Sequence, residues 1–256
     1  VEDWDEVEIR FEREGKWWRR TADFLRALRR KCDGRILLAA TTAVANLDAL
    51  SAIRGPERLL TDLVECPDKV LRALDQVCDA YEDILDAVGE ETGADDVGSI
   101  NRHGMYSTGR IALPQCDFSC MIGPEMFREF VVPCLERETV VLDAAEYHLD
   151  GPGAIKHLEA LCEIDGIDVI QFDEPAFNVY LKEAADWGVR ALERAVQGLR
   201  CTTAVHICYG YGIKANTDWK ASLGEEWRQY ETVFPALAAS SIDQVSLECF
   251  HSRVPP

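Results

Sequence analysis

Histidine, cysteine and acidic residues in the last third of the chain are spaced in a way that suits a transition-metal ion. His206-Ile-Cys208 closes one apolar run, Glu248 closes another, and Asp173-Glu-Pro-Ala176 closes a third. Residues two apart on a strand project to the same face, so His206 and Cys208 can reach one ion together. Imidazole and thiolate are good zinc donors and a carboxylate is an acceptable third, which makes zinc chemistry the leading expectation. His148 and Asp150 are also two apart at a predicted strand end and can share a face. Each pattern has a structural reading beside it. A lone His-x-Cys is commonly structural, Asp173 can cap the helix that follows it, and His148 and Asp150 can be hydrogen-bonded residues of a buried strand end.

The elements that must position these residues alternate along the chain. Residues 17–31 carry apolar side chains at helical spacing, and Gly34 punctuates the change to the apolar run 35–42, which reads as a buried strand. Pro56 and Pro67 open helices over 56–65 and 67–88, with Asp68, Asp75 and Glu82 on solvated faces. Residues 98–107 read as a strand, and Pro124 opens a helix to about residue 142 that Pro133 should kink or break. Strands are predicted at 146–150, 168–173, 202–208 and 243–248, separated by helices over 154–163, 177–199 and 219–239, with Pro235 marking a break in the last. The segment Tyr209-Gly-Tyr-Gly212 reads as a loop that needs glycine freedom.

Strands separated by helices point to a parallel sheet, and polar motifs at the carboxyl ends of strands favour a TIM-type (β/α)8 barrel over a doubly wound sheet. About six strands are legible where a closed barrel of this class has eight, so an incomplete or hybrid barrel is expected, as one domain over residues 1–256. An incomplete barrel leaves sheet edges and apolar surface to cover, which favours a homo-oligomer.

Composition narrows the partners. With 256 residues, 47% of them hydrophobic, the chain can bury a large core. A net charge of −19 and a pI near 4.6 set up a field that repels nucleic acid and anionic lipid. No apolar run reaches the roughly 20 residues that span a bilayer, and the acidic start Val1-Glu-Asp-Trp4 is unlike a signal peptide. The ten cysteines are scattered and fit reduced thiols in a cytoplasmic protein. Cys32, Cys66, Cys78, Cys134 and Cys162 fall on or near helices as small fillers. A start without methionine and the end Arg253-Val-Pro-Pro256 have the aspect of a fragment or an edited chain.

From about Gln171 onward the motifs are specific enough to carry a family likeness. Asp173-Glu-Pro-Ala176, Ala204-Val-His-Ile-Cys-Tyr-Gly-Tyr-Gly-Ile-Lys-Ala-Asn-Thr-Asp-Trp219, Glu226-Trp-Arg-Gln-Tyr230 and Ser246-Leu-Glu248 resemble the catalytic domain of cobalamin-independent methionine synthase, most of all its short core variants. Before Gln171, Gly109-Arg110, Pro114-Gln-Cys-Asp-Phe-Ser119, Pro124-Glu-Met-Phe-Arg-Glu-Phe130 and Tyr147-His-Leu-Asp-Gly-Pro-Gly153 resemble uroporphyrinogen decarboxylase-like proteins. The two families are regarded as relatives on a (β/α)8 barrel, so a join near 168–173 suggests a chimera that keeps the hydrophobic register.

The first resemblance implies methyl transfer to a thiol such as homocysteine, from a methylated corrinoid or folate. It maps His206, Cys208 and Glu248 onto protein ligands of the zinc, and Asp173 onto the carboxylate that holds the substrate ammonium. It also implies a fourth, cysteine ligand from a later strand, and the chain ends eight residues after Glu248. Cys249 should face away from Glu248 on a regular strand, while His251 can approach only once the strand has ended. The alternative to a zinc-dependent methyltransferase is therefore a non-catalytic or engineered barrel hybrid with an unfinished site. A decarboxylase-like enzyme is less supported, because the N-terminal arginines and early aspartate of that family are not recognisable here.

Overall fold

Prolines and glycines set most of the element boundaries. The computed structural model describes residues 2–39, 43–210, 214–249 and 252–255. Their contacts divide the chain into two compact units, Val1–Asp168 and Val169–Pro256.

In the first unit, α1 (Lys16–Cys32) buries Ala22 and Leu25 against the rest of the unit and carries Arg29, Arg30 and Lys31 in its last turn, where cations suit the helix dipole. It ends at Asp33, which adopts the left-handed conformation with φ 49° and donates its N–H to the Arg29 carbonyl. Of the strand expected over 35–42, the described part makes only an isolated parallel bridge from Ala39 to Ile100. The Cys32–Arg35 turn holds the chain back, the Arg35 N–H donating to the Cys32 carbonyl, and Ile36 is exposed. Residues 40–42 lie outside the described residues.

A helix absent from the sequence reading, α2 (Leu47–Arg54), follows. Its N-cap is Asn46, whose side chain accepts from the Asp48 N–H, and it buries Leu47 and Leu50. Next come α3 (Pro56–Glu65) and α4 (Pro67–Thr92), each with proline in the first turn. Val70, Ala73, Leu74, Val77, Cys78 and Tyr81 form one buried stripe of α4 at i, i+3, i+4 spacing. A short α5 (Ala94–Val97) precedes the sheet residues.

The single strand expected over 98–107 is instead an antiparallel hairpin, β1 (Ser99–Ile100) with β2 (Tyr106–Ser107). The correction has a local cause. Asn101 accepts the His103 and Met105 N–H groups through its side chain, each at 3.0 Å, and Gly104 supplies φ 84° for the turn. Then β3 (Ile111–Ala112), also absent from the sequence reading, pairs in parallel with β4 (Ala144–Leu149). Between them lie α6 (Pro124–Phe130) and α7 (Val132–Val140), separated at Val131, so the helix breaks beside Pro133 as expected. A 3-10 turn at Ile155–His157 and α8 (Leu158–Cys162) complete the unit.

The second unit is built on three parallel strands in chain order, β5 (Val169–Asp173), β6 (Thr202–Ile207) and β7 (Gln244–Leu247). The helix expected over 177–199 is divided into α9 (Ala176–Val179), α10 (Leu181–Glu183), a π-turn at Ala184–Gly188 and α11 (Val189–Val196). The π-turn brings Gly188 against Phe177 so closely that a Cβ there would sit 3.2 Å from the ring. After it, α12 (Lys214–Ser222) and α13 (Gln229–Ala238) are split at 223–228, while Pro235 stays inside α13. The split is held by the Trp227 N–H on the Arg253 carbonyl and the Arg253 guanidinium on the Gly224 carbonyl. Mixed α/β architecture with parallel strands thus holds in both units. No helix among the described residues is long and apolar enough to cross a membrane.

The core of the first unit contains one carboxyl group that sets a pH dependence. Glu138 on α7 is fully buried. Its Oε1 accepts the Ala45 N–H at 3.0 Å and Asn46 Nδ2 at 2.8 Å, and Oε2 has no hydrogen-bond partner among the described residues. Burial pushes its pKa up to about 8 against those two hydrogen bonds, so the folded chain holds a proton there at neutral pH that the unfolded chain has released. Its contribution to stability is complete below the ordinary carboxyl range and is lost as pH rises through about 8. Denaturant titrations should show stability falling between about pH 5 and pH 8 from this group. Glu138→Gln, which keeps the acceptor oxygen, should flatten that slope and gain on the order of 1–3 kcal/mol at the alkaline end. An unchanged slope in the variant refutes the assignment.

Candidate metal centre

The second unit collects its polar residues at the carboxyl ends of its strands because the register leaves them there. Asp173 ends β5 directly beside His206 of β6, and His206 pairs in turn with Ser246 of β7. Cys208 lies one residue past β6 and Glu248 one past β7. The Glu174 N–H donates to the His206 carbonyl at 2.8 Å and the Glu248 N–H to the Ile207 carbonyl at 3.3 Å, which carries the parallel pairing up to the site.

Asp173, His206 and Cys208 each offer one ligand atom within 4.8 Å of the other two. The donor set is one imidazole nitrogen, one sulfur and one carboxylate oxygen, chemistry that fits zinc. The spacing of His206 and Cys208 therefore does bring the pair together. Asp173, which the resemblance maps onto a substrate carboxylate, falls into the same group.

Glu248 is oriented by its own hydrogen bonds. Its Oε2 accepts the Tyr209 N–H at 2.8 Å and its Oε1 accepts the Ser252 hydroxyl at 2.6 Å. Burial works to raise its pKa, but those two bonds, with Lys220 and His206 nearby, hold the carboxyl below its ordinary value. It is thus an anchored anion at the end of β7. Cys208 behaves in the opposite way. Burial pushes its thiol pKa up, and the charges of Asp173 and Glu248 add to this, against one hydrogen bond from the Gly210 N–H to Sγ at 3.3 Å. Burial outweighs the nearby Lys220 charge, so the thiol stays protonated at neutral pH and thiolate ligation is coupled to proton release. Glu174, next to Asp173, is also raised, first by burial and then by that neighbour's charge.

Three contributors have no role assigned in the sequence reading. Ser246 Oγ lies 3.1 Å from His206 Nδ1, a contact that fixes the orientation of the imidazole ring. The Ser246 position is two before Glu248 and shares its strand face, so the period-two rule would have found it. The Tyr230 hydroxyl bonds the Ile207 carbonyl at 2.8 Å and the Glu248 carbonyl at 3.1 Å, tying the ends of β6 and β7 together. Asn178 Nδ2 donates to the Cys208 carbonyl at 2.9 Å. Neither Tyr230 nor Asn178 carries a local spacing signal. Beneath them Tyr209 packs on Trp227 at 4.7 Å and on Tyr230 at 5.4 Å between ring centroids.

Of the remaining residues singled out in the sequence, Cys249 is exposed and His251 lies outside the described residues, as do Tyr211 and Gly212. His148 is buried on β4 in the first unit, with Asp150 just beyond the strand.

Comparison with known proteins places part of the chain near one enzyme family. No protein-family model matches the chain. It is 47% identical over 45 residues to the methionine synthase of Saccharolobus solfataricus, which is 18% of this chain and 13% of the relative. It is 32% identical over 81 residues to a methionine synthase of Saccharolobus islandicus, 32% of this chain and 19% of the relative. Among solved structures it is similar to a B12-independent methionine synthase from Shewanella sp. W3-18-1 in complex with selenomethionine, with 48% identity, a TM-score of 0.42, and coverage of 50% of this chain and 44% of that one. The matches span 13% and 19% of the two curated relatives, and they make part of this chain similar to methionine synthases.

Proposed function

We propose that the chain is a zinc-dependent methyltransferase of the methionine synthase type, delivering a methyl group to a small thiol such as homocysteine. The observation that carries this reading is the convergence of Asp173, His206 and Cys208 within 4.8 Å. The partial similarity to methionine synthases supports the class of reaction.

In this reading His206 and Cys208 hold the ion, and Glu248, which lies outside the three-residue group, is the third protein ligand on the strength of the methionine synthase resemblance. Zinc bound there would lower the pKa of a coordinated thiol, so that the substrate reacts as a thiolate near neutral pH. The chain's residues do the positioning. Ser246 keeps His206 turned through Nδ1, and the Tyr209 N–H and Ser252 hydroxyl aim the Glu248 carboxylate. Asp173 takes the substrate ammonium by a charge-assisted hydrogen bond, close enough to the His206–Cys208 pair for one small amino thiol to reach both. The methyl donor is a methylated corrinoid or folate, whose bond to the methyl carbon breaks as the sulfur–carbon bond forms. The motifs before residue 171 support a decarboxylase-like origin for that part, and a (β/α)8 barrel is the architecture the alternating elements belong to.

Three measurements test the reading. Protein purified without added zinc should hold about one zinc ion more per chain than the His206→Ala variant; equal metal in both would sink it. Ser246→Ala should weaken zinc binding about 10- to 100-fold without changing the fold, as loss of an outer hydrogen bond to a ligating imidazole does. With homocysteine and a methylated donor, Asp173→Asn should raise KM for the thiol well before it lowers kcat, and a kcat-only effect would remove Asp173 from substrate binding.

A further inference from the structure

We propose that Lys220 on α12 is a positioning residue that keeps the Gly210 N–H on the sulfur of Cys208, and that this contact spares Cys208 from taking the methyl group meant for the substrate thiol. The inference rests on the thiol-methylation reading of the same centre.

The turn Cys208-Tyr-Gly210 is held through its backbone. The Asn178 amide donates to the Cys208 carbonyl at 2.9 Å, the Tyr209 N–H to Glu248 Oε2 at 2.8 Å, and the Gly210 N–H to Cys208 Sγ at 3.3 Å. The last of these reaches back two residues onto the sulfur itself. Gly210 makes that possible with φ 73°, in the left-handed region that other residues avoid. A Cβ at Gly210 would also lie 2.8 Å from Asn216 Nδ2, so the close approach of α12 requires glycine as well.

One face of α12 is given over to this turn. Asn216, Trp219 and Lys220 stand at i, i+3 and i+4 and so lie on the same side of the helix. Asn216 lies against Gly210, Trp219 stacks on Tyr209 with ring centroids 6.0 Å apart at 26°, and Lys220 Nζ donates to the Gly210 carbonyl at 2.8 Å. No residue of α12 is fully buried, so its hold on the turn depends on these contacts more than on a packed core. Among them the Lys220 bond has a charged donor, which makes it stronger than a neutral one. It fixes the carbonyl of the same residue whose N–H faces the sulfur.

The chemical consequence is a choice between two sulfurs. In the proposed reaction the substrate thiolate and the Cys208 thiolate would both be held by one ion, and both are nucleophiles toward the same methyl carbon. A hydrogen bond onto a thiolate stabilises its electron pair and lowers its nucleophilicity. Among the described residues the Gly210 N–H is the donor to Cys208 Sγ, so the protein sulfur is the damped one. Methylation of Cys208 would leave an uncharged thioether in place of a thiolate ligand and end turnover.

Methyl iodide is the probe. It methylates a thiolate as the sulfur–carbon bond forms and iodide leaves with the electron pair of the carbon–iodine bond. The cobalt(II)-loaded full chain is treated with it, and peptide mass spectrometry reads methylation at Cys208 against Cys249, an exposed thiol that serves as internal reference. Lys220 is half-buried at the last turn of its helix, so substitution there leaves the core intact, which circular dichroism checks. Lys220→Met should raise the Cys208-to-Cys249 ratio about 10-fold, the scale of one hydrogen bond. Lys220→Arg, which keeps a charged donor, should stay within about two-fold of wild type. In the same samples the thiolate-to-cobalt charge-transfer band should move to longer wavelength in Lys220→Met and return in Lys220→Arg, a signature that loosened packing alone does not produce. A ratio or a band that Lys220→Met leaves at the wild-type value overturns the inference, as does a Lys220→Arg chain that behaves like Lys220→Met. Failure of the methyltransferase reading gives a different result: the wild-type chain itself then shows no thiolate-to-cobalt band, and the inference falls with its premise.

Discussion

The site in the second unit depends on the hydrogen-bonded register of β6 between β5 and β7. That register sets Asp173 beside His206 and His206 beside Ser246, and it continues past the strand ends through the Glu174 and Glu248 N–H groups. A one-residue slip would turn His206 and Cys208 to the opposite face, because side chains alternate along a strand. The buried β6 residues Ala204, Val205 and Ile207 resist such a slip from within the core. The Tyr230 hydroxyl resists it at the rim, since it contacts the Ile207 and Glu248 carbonyls together. Asp243 closes the other end by accepting the Thr203 N–H and hydroxyl, each at 2.9 Å. The strand is thus pinned at both ends as well as in its core, and the chemistry is placed by backbone pairing more than by loops.

How far these features are legible in the sequence follows from the range of the forces involved. Helices α3 and α4 start where Pro56 and Pro67 predict, because proline at a first turn is a local constraint. The hairpin at 99–107 is missed as a single strand because the deciding bonds run from the Asn101 side chain to its neighbours' N–H groups, which a hydropathy pattern does not register. The helical period over 177–199 hides a π-turn at Ala184–Gly188, where Gly188 lies against Phe177 with no room for a side chain, a tertiary contact that the period does not register. The split at 223–228 rests on bonds to Arg253, far along the chain. In the site, the proximity of His206 to Cys208 follows from period two alone. The joining of Asp173 to that pair, and the roles of Tyr230 and Asn178, need strand neighbours that spacing within one segment does not specify.

Three buried or half-buried carboxyl groups meet the same electrostatic problem with different local solutions, and the differences separate packing from chemistry. Glu138 accepts two hydrogen bonds on one oxygen and none on the other, and burial wins, so it is kept as a neutral acid inside the helical core. Glu248 accepts one bond on each oxygen, with Lys220 and His206 nearby, and these outweigh burial, so it remains an anion at a strand end. Glu146 also has one partner on each oxygen, but one of them is the Nδ1 of an imidazole. Saturating a carboxylate with backbone N–H or hydroxyl donors only fixes its charge, whereas bonding it to a histidine also fixes the tautomer of a group that can itself bind or transfer a proton or an ion. In a chain of net charge −19, buried acids that are neither neutralised by a proton nor tied to donors would be costly. Glu138 and Glu146 therefore read as core residues, whereas Glu248 sits at a strand end beside Lys220 and His206 as a fixed anion.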